Sequence, residues 1–317
     1  MNTKDIGYFL AVADSRDLSA AAHLLGITQP TLTKSIARLE RALGVQLFER
    51  RSRGVVLTES GRVFAGHARD LHARLEDASA AMRDLRSGRA GLVRIGVGVG
   101  IPQSLLAAAT RPQVRQGAMI EVLGGTPGSF AKMLLNSEID FAIAGSGFGD
   151  AEELMWKPLF RDPLLVVAPV HHPLLRRRAV TWPELAEQAW LVPASGSAVR
   201  GWFDHQFRSR GLPFPKAVLA LRDYYLSMEL STEIGALRLL ARSVLDHPEA
   251  AKAYRPLAMA EDDAFDRTVG LVWRAKSYLS PTAERLMSQV EAAAHQLVRK
   301  ERPRAALGIA LAGRGAS

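Results

Sequence analysis

ITQPTLTKSIARLE, residues 27–40, carries a proline four positions into a run that otherwise has helical spacing. Leu32, Ile36, Leu39 and Leu43 recur at intervals of four, three and four, which places them on one helix face. Thr28 suits the N-cap. Pro30 falls in the first turn, where a missing N–H has no intrahelical partner to lose. The proline therefore starts the helix, and Gly44 stops it. The other face carries Gln29, Thr31, Thr33, Lys34 and Arg38. These types read base edges: glutamine pairs with adenine, lysine or arginine with guanine, and hydroxyls with either. The first turn also presents N–H groups to a phosphate. Taken alone, the same residues describe a polar, solvated helix face, so the flanks decide between the two readings.

Upstream, Ile6, Phe9, Leu10 and Ala13 share one helical face, and Ser19–Leu25 forms a second helical run closed by Gly26. Two helices, a glycine turn and the quoted helix describe a helix-turn-helix. Downstream, QLFERRSRGVVLTESG (46–61) places Ser52-Arg53-Gly54 between two apolar runs, the pattern of a small hairpin. Arg50, Arg51 and Arg53 crowd its tip. Such a wing holds phosphate backbone, supplying affinity but little sequence information. A longer helix follows from about Glu59 to Ser87, with Thr58 as cap. On it Phe64, Ala68, Leu71, Leu75, Ala78, Met82 and Leu85 repeat at 4-3-4-3-4-3. About 28 residues make a rod roughly 42 Å long. Its narrow stripe wants a partner helix, which favours dimerisation through Phe64, Leu71, Leu75, Met82 and Leu85 over a role as a core helix.

At Gly88–Gly91 the character changes. LVRIGVGVG, MIEVLGG and DFAIAG have strand character, and the intervening PQSLLAAATRPQV and PGSFAKMLLNSEI are helical. That alternation implies a parallel, doubly wound α/β layer. LLVVAPV is a further strand, and TWPELAEQ, GSAVRGWFDHQFRSRG and LSPTAERLMSQVEAAAHQLVR are helical. After about Arg299 the composition implies a disordered tail over 301–317. GVGVG (96–100) fails the dinucleotide fingerprint, because Ile101 and Gln103 stand where a third glycine is needed. A strand entering a helix N-terminus at Pro102, Gln103 and Ser104 still suits a polar or anionic ligand.

The bulk composition agrees with this layout. A chain of 317 residues is long enough for two or three domains. The formal charge of +9 favours an anionic partner such as nucleic acid. The absence of cysteine excludes disulfides, zinc fingers, iron–sulfur ligation and thiol redox sensing. Asp5 and Asp14 interrupt any signal-peptide stretch. The longest apolar run, Leu164–Val170, falls far short of the ~18–20 residues of a membrane span. No membrane association and a cytoplasmic location are the expectations. The eight histidines are scattered without H-x-x-x-H spacing, and Gly145-Ser146-Gly147 lacks nucleophile-elbow spacing. Neither an enzyme nor a metal site is expected.

Residues 9–61 closely resemble the N-terminal domain of LysR-type transcriptional regulators. Phe9, Val12-Ala13, Ser19, Ala21-Ala22, Leu24, Thr28-Gln29-Pro30, Leu32, Ile36, Leu39-Glu40, Leu43-Gly44, Leu47-Phe48, Arg50, Leu57-Thr58 and Gly61 fall on that family's pattern. Thr33 stands where serine is usual and keeps the hydroxyl. Looser matches at Leu92–Gly96, Leu135–Ala142, His172-Pro173-Leu174 and Pro193–Phe203 extend the resemblance over nearly the whole chain. It implies a winged helix-turn-helix (1–58), a dimerising linker helix (59–88) and an α/β effector domain (89–300) similar to periplasmic binding proteins. Subdomain I is expected at about 89–161 and 267–300, and subdomain II at about 162–266, with a small-molecule cleft between them.

On this resemblance, Thr28 and Pro30 join the DNA-binding candidates named above. The effector candidates become Gly100, Ile101, Gln103, Ser104, Thr126, Pro127, Ser195, Ser197, Arg200 and Tyr224. Where the family often has a hydroxyl this chain has Gly100. Where some members place an arginine for carboxylate ligands it has Gly145-Ser146-Gly147-Phe148, so a strongly acidic effector is less supported. The stretch from Asp223 to Leu245 departs from the family's glycine-rich signature. Implied partners are promoter DNA, a small organic co-inducer, a homodimer or homotetramer, and RNA polymerase, with no other cofactor. The competing class is a solute receptor or enzyme of binding-protein fold with an incidental N-terminal helix bundle.

Overall fold

The computed structural model describes residues 2–51, 54–87, 92–148, 152–193, 195, 197–215, 217–220, 230–245, 247–260 and 264–312. The head consists of α1 (Thr3–Ser15), α2 (Leu18–Leu24), α3 (Gln29–Leu43) and the hairpin β1 (Phe48–Arg50) and β2 (Val55–Leu57). Thr28 caps α3 by accepting from the Thr31 N–H, and Gly44 closes it in the left-handed region. Leu32, Leu39 and Leu47 are fully buried around Phe9, whose ring lies 5.2 Å from Phe48 and 4.9 Å from Phe64. Leu43 departs from the expected seam. It is 37% exposed, because the last turn of α3 runs past the packed core. The wing is pinned to the end of α1: Val55 N–H donates to Arg16 O at 3.0 Å. Gly54, at φ +81°, passes so close that a Cβ would lie 2.3 Å from that same oxygen.

The linker helix α4 (Glu59–Ser87) begins at Thr58, whose Oγ1 accepts from Gly61 N–H at 2.9 Å. Its first three turns belong to the head. Ala65 and Ala68 are buried there, and Phe64 packs against the same core. This corrects the expected dimer seam at its N-terminal end, since Phe64 is already spent on Phe9. Leu71, Leu75 and Met82 remain exposed, and the Leu85 side chain lies outside the described residues.

Subdomain I contains β3 (Leu92–Gly98), α5 (Gln103–Arg115), β4 (Met119–Gly125), α6 (Pro127–Leu135), β5 (Phe141–Gly145) and β6 (Leu154–Arg161). The chain then builds subdomain II from β7 (Leu164–Pro169), α7 (Trp182–Ala186), β8 (Trp190–Val192), α8 (Ala198–Ser209), β9 (Ala217–Ala220), β10 (Arg238–Ala241), α9 (Arg242–Leu245), α10 (Pro248–Ala253) and β11 (Tyr254–Pro256). It returns to subdomain I as β12 (Thr268–Arg274) and ends in α11 (Pro281–Ala312).

The first sheet has the order β4-β3-β5-β12-β6. β3 runs parallel to β4 and β5, but β12 is antiparallel to both β5 and β6, so the sheet is mixed rather than parallel throughout. The reversal follows from connectivity: β12 re-enters from subdomain II, on the side where β6 left. Val93, Ile95, Leu105, Ala109, Leu286 and Val290 fill the core on the α5–α11 side, and Phe130 and Leu134 of α6 cover the other face. In subdomain II, β10-β7-β11 form one sheet, β8-β9 another, and a Trp190–Leu237 bridge joins them. Trp182, Trp190, Phe203 and Phe207 make its core, with edge-to-face ring contacts of 4.8–6.3 Å. The tail expectation is corrected as well. α11 continues to Ala312, and 313–317 lie outside the described residues.

Candidate functional site

The N-terminal half of α3 stands clear of the head core. Thr28, Gln29, Pro30, Thr31 and Lys34 are exposed and Thr33 is half-buried, above the buried seam of Leu32, Ile36 and Leu39. Local hydrogen bonds organise this surface. Thr28 and Thr31 hydroxyls lie 2.8 Å apart, and Ser19 Oγ of α2 donates to Gln29 Oε1 at 3.3 Å. With the amide oxygen held by Ser19, the Gln29 NH2 group is the part of this exposed side chain suited to a base edge.

Arg38 does something else. Its Nε donates to Asp5 Oδ2 at 3.2 Å, and its Nη2 bonds Asp5 Oδ1. Asp5 is buried, and its Oδ1 also accepts from Ser35 Oγ at 2.5 Å. The Arg38 guanidinium, aided by Ser35 and the Asn2 backbone N–H, overcomes burial and holds the Asp5 carboxyl down at about 2. Arg38 thus braces α1 against α3 with its side chain 53% exposed; this expected base reader is also committed to a carboxylate. Neither Asp5 nor Ser35 was marked by its local sequence, because the contact spans 30 residues.

On the wing, Arg50 and Arg51 are exposed, Arg51 shares Glu49 at 3.1 Å, and Arg53 lies outside the described residues. Arg16 is a basic residue that sequence spacing did not single out. Its left-handed backbone (φ +58°) turns the chain beside the wing and leaves the side chain exposed.

The second candidate region lies at the carboxyl ends of β3 and β4. These parallel strands pair Gly98 with Gly125, so the turns leading into α5 and α6 emerge side by side. Since β4 and β5 lie on opposite sides of β3, the topological switch point falls between β3 and β5, at the carboxyl end of β3. Gly100 takes φ +73°, and a Cβ on it would sit 3.7 Å from the Ala241 Cβ of subdomain II. The two subdomains therefore meet at this loop.

The expected cleft residues divide into distinct groups. Gln103, Ser104 and Ser195 are exposed, as is Thr126, whose hydroxyl and N–H engage Ser129 in a capping box. Pro127 occupies the first turn of the same helix. Ser197 caps α8, accepting from Arg200 N–H at 3.1 Å. Arg200 itself is committed: Nε donates to Asp204 at 2.7 Å, and the guanidinium lies over Phe214. Ile101 is corrected from the cleft to the core, 8% exposed among Val93, Leu105 and Phe160, because the strand-to-helix turn points it inward. Tyr224 lies outside the described residues.

What the sequence did not reveal is the group at the crossover. Two strands pass between subdomains side by side, with Asp162 N–H donating to Arg267 O at 2.7 Å and Leu164 N–H to Phe265 O at 2.9 Å. Here Arg267 Nη2 donates to Asp162 Oδ2 at 2.6 Å, with side chains only 9% and 1% exposed. Arg267 also donates to Val99 O at 3.0 Å and Gly100 O at 3.2 Å. Asp162 in turn accepts from Ser243 N–H at 3.0 Å and Ser243 Oγ at 2.8 Å. One ion pair thereby joins the cleft loop of subdomain I, both crossover strands and subdomain II. The partners are 105 residues apart, so no spacing pattern announces them.

Comparison with known proteins bears on both regions. Residues 3–62 match the family model described as bacterial regulatory helix-turn-helix protein, lysR family, and residues 86–294 match the LysR substrate binding domain. The chain is 26% identical over 313 residues to the HTH-type transcriptional regulator GbpR of Azospirillum brasilense, covering 95% of this chain and 89% of that protein. A full-length OxyR variant from Pseudomonas aeruginosa superposes with a TM-score of 0.59 at 21% identity, covering 92% and 94% of the two chains. CbnR, a LysR family transcriptional regulator, gives 0.56 at 21% identity, covering 93% and 99%. At that identity the two structures establish the shared fold.

Proposed function

The chain belongs to the LysR family of DNA-binding transcriptional regulators with an effector-binding domain, and we propose that Thr28, Gln29, Thr31, Thr33 and Lys34 choose the DNA site while a small organic molecule in the subdomain crevice sets when it matters. The observation that carries the reading is the exposed amide–hydroxyl–amine surface of α3 held on a fully buried apolar seam. Arg50, Arg51 and Arg53 hold flanking phosphates, with Arg16 beside them. The effector sits against the turns at Gly100–Ser104 and Thr126–Pro127, opposite Ser195 and Ser197.

With Arg200 and Arg267 both engaged by aspartates, recognition rests on helix N-termini and hydroxyls. A neutral or weakly anionic polar ligand fits better than a strongly acidic one. Leu71, Leu75 and Met82 form the seam of a homodimer, which pairs into a tetramer on an interrupted dyad near a promoter and there contacts RNA polymerase. No helix among the described residues is long and apolar enough to cross a membrane; the reading is of a cytoplasmic regulator without catalytic activity, resident metal or other cofactor.

Ligand closing the crevice shifts the relative pose of the effector domains and so the spacing of paired heads on bent DNA. A gel shift on the DNA upstream of the chain's own gene, at several salt concentrations, tests the reading. Saturable, sequence-dependent binding is expected, and binding indifferent to sequence overturns it. Identical footprints and transcription with every compound found to bind the effector domain overturn the switch.

A further inference from the structure

The linker helix has two working faces. Leu71, Leu75 and Met82 form the exposed stripe. Ala73 and Asp77 each lie two residues further on, roughly 200° around the helix from Leu71 and Leu75. Ala73 is buried, 1% exposed, and Asp77 reaches the chain's own effector domain. Arg274 Nη2 donates to Asp77 Oδ1 at 2.8 Å and Oδ2 at 2.7 Å, and to Ser137 Oγ, just beyond α6, at 3.2 Å. The pair is largely enclosed, with side chains 11% and 18% exposed.

α4 ends at Ser87 and β3 begins at Leu92. A largely buried ion pair with a third hydrogen bond holds helix and domain at one angle, because separating it strands two desolvated charges. We propose that Asp77 and Arg274 form a clamp that fixes the angle between the linker helix and subdomain I, and thereby the spacing of reading heads in an assembled dimer. Arg274 is the last residue of β12, and Arg267 stands just before its first. The strand is hydrogen-bonded on both sides, to β5 and β6. One rigid strand therefore runs from the crossover latch to the linker clamp, spanning about 23 Å at strand rise. A subdomain rotation felt at Arg267 reaches the linker at Arg274.

The spacing part of this inference rests on the proposed DNA-reading function; the clamp itself does not. The test uses the full chain, with Asp77→Asn, Arg274→Gln and the exchanged pair Asp77→Arg with Arg274→Asp. Small-angle scattering reads the shape, thermal melting reads the fold, and gel shifts compare DNA carrying one half-site with DNA carrying two. The single variants are expected to remain cooperatively folded, expand in radius of gyration, and lose about tenfold in affinity for two half-sites but none for one, as avidity requires. The exchanged pair is expected to recover both. Unchanged scattering in the single variants overturns the clamp, and so does an equal loss on one half-site, which would place the effect in the head. Should the wild-type chain bind neither DNA, the reading function fails while scattering still decides the clamp.

Discussion

The head and the effector domain each seat an aspartate against an arginine, but the two pairs are built to different ends. Asp5 is buried and Arg38 is half in water, 53% exposed. Asp162 and Arg267 are both enclosed, and their further hydrogen bonds go to Val99, Gly100 and Ser243. The first braces one helix against another within a unit that must present an unchanging surface. The second lies where two strands cross between subdomains and ties the Val99–Gly100 turn to Ser243 of subdomain II. A half-exposed pair can be strained or broken with water as substitute; an enclosed one holds its geometry or loses it as a whole.

The sharpest way to break this contrast is to remove one partner of the enclosed pair. Asp162→Asn or Arg267→Met is expected to cost about 3–5 kcal/mol in denaturant unfolding, since a buried charge is left uncompensated. Replacing both with apolar residues should recover much of it. A loss in single variants below ~1 kcal/mol would mean that water already reaches the crossover, and the contrast would collapse. For the head, Asp5→Asn should cost about 2 kcal/mol, the scale of hydrogen bonds to a charged group.

The sign of the pH dependence distinguishes the head pair further. The folded carboxyl titrates at about 2 against an ordinary 3.8, so its contribution is complete above the ordinary value and disappears as pH falls through about 2. Acid unfolding of the wild type and of Asp5→Asn should therefore converge below that pH. Parallel curves there would show that Asp5 acts through packing alone.

The same contrast explains what could be read in the chain beforehand. Head elements announce themselves locally: Thr28, Pro30 and Gly44 bracket α3, and the 4-3-4 apolar spacing orients it. The periodicity of α4 was equally visible, but not that Phe64 and Ala68 serve the head while only Leu71 onward stays open. That division depends on where Phe9 lies. β3, β4 and β5 were legible because strands alternate with helices. β12 was not, since TVGLVWR follows a long excursion and pairs antiparallel with strands far back in the chain. The turns entering α5 and α6 were legible from their glycines and caps. The ion pair beside them was not, because Arg267, Asp162 and Ser243 meet only after two crossovers. Cap-forming residues such as Thr126 and Ser197 look the same in sequence whether they serve a ligand or their own helix.

On the DNA side the effects are smaller and differ in kind. Gln29→Ala should lose about 1–3 kcal/mol of discrimination at a single base position, with other positions unaffected, in a gel shift against a panel of singly substituted sites. Equal weakening on every site would move Gln29 from reading to positioning. Arg38→Lys should leave the preferred sequence unchanged and lower head stability instead, because lysine cannot make the two-nitrogen contact with Asp5. A changed base preference in that variant would return Arg38 to the reading face.

The smallest expected effects belong to the wing. Arg50 has no ion-pair partner among the described residues, whereas Arg51 lies 3.1 Å from Glu49. A phosphate contact made by Arg50 releases about one counterion, so Arg50→Ala should weaken all sequences alike and reduce the slope of log affinity against log salt by about 1. Arg51 must share its charge with Glu49, and Arg51→Ala should reduce the slope by less. Glu49→Gln separates competition from mere proximity. If the glutamate holds Arg51 back from the phosphates, its removal should steepen the salt dependence; an unchanged slope would show that the surface pair is too weak to matter, as exposed pairs often are.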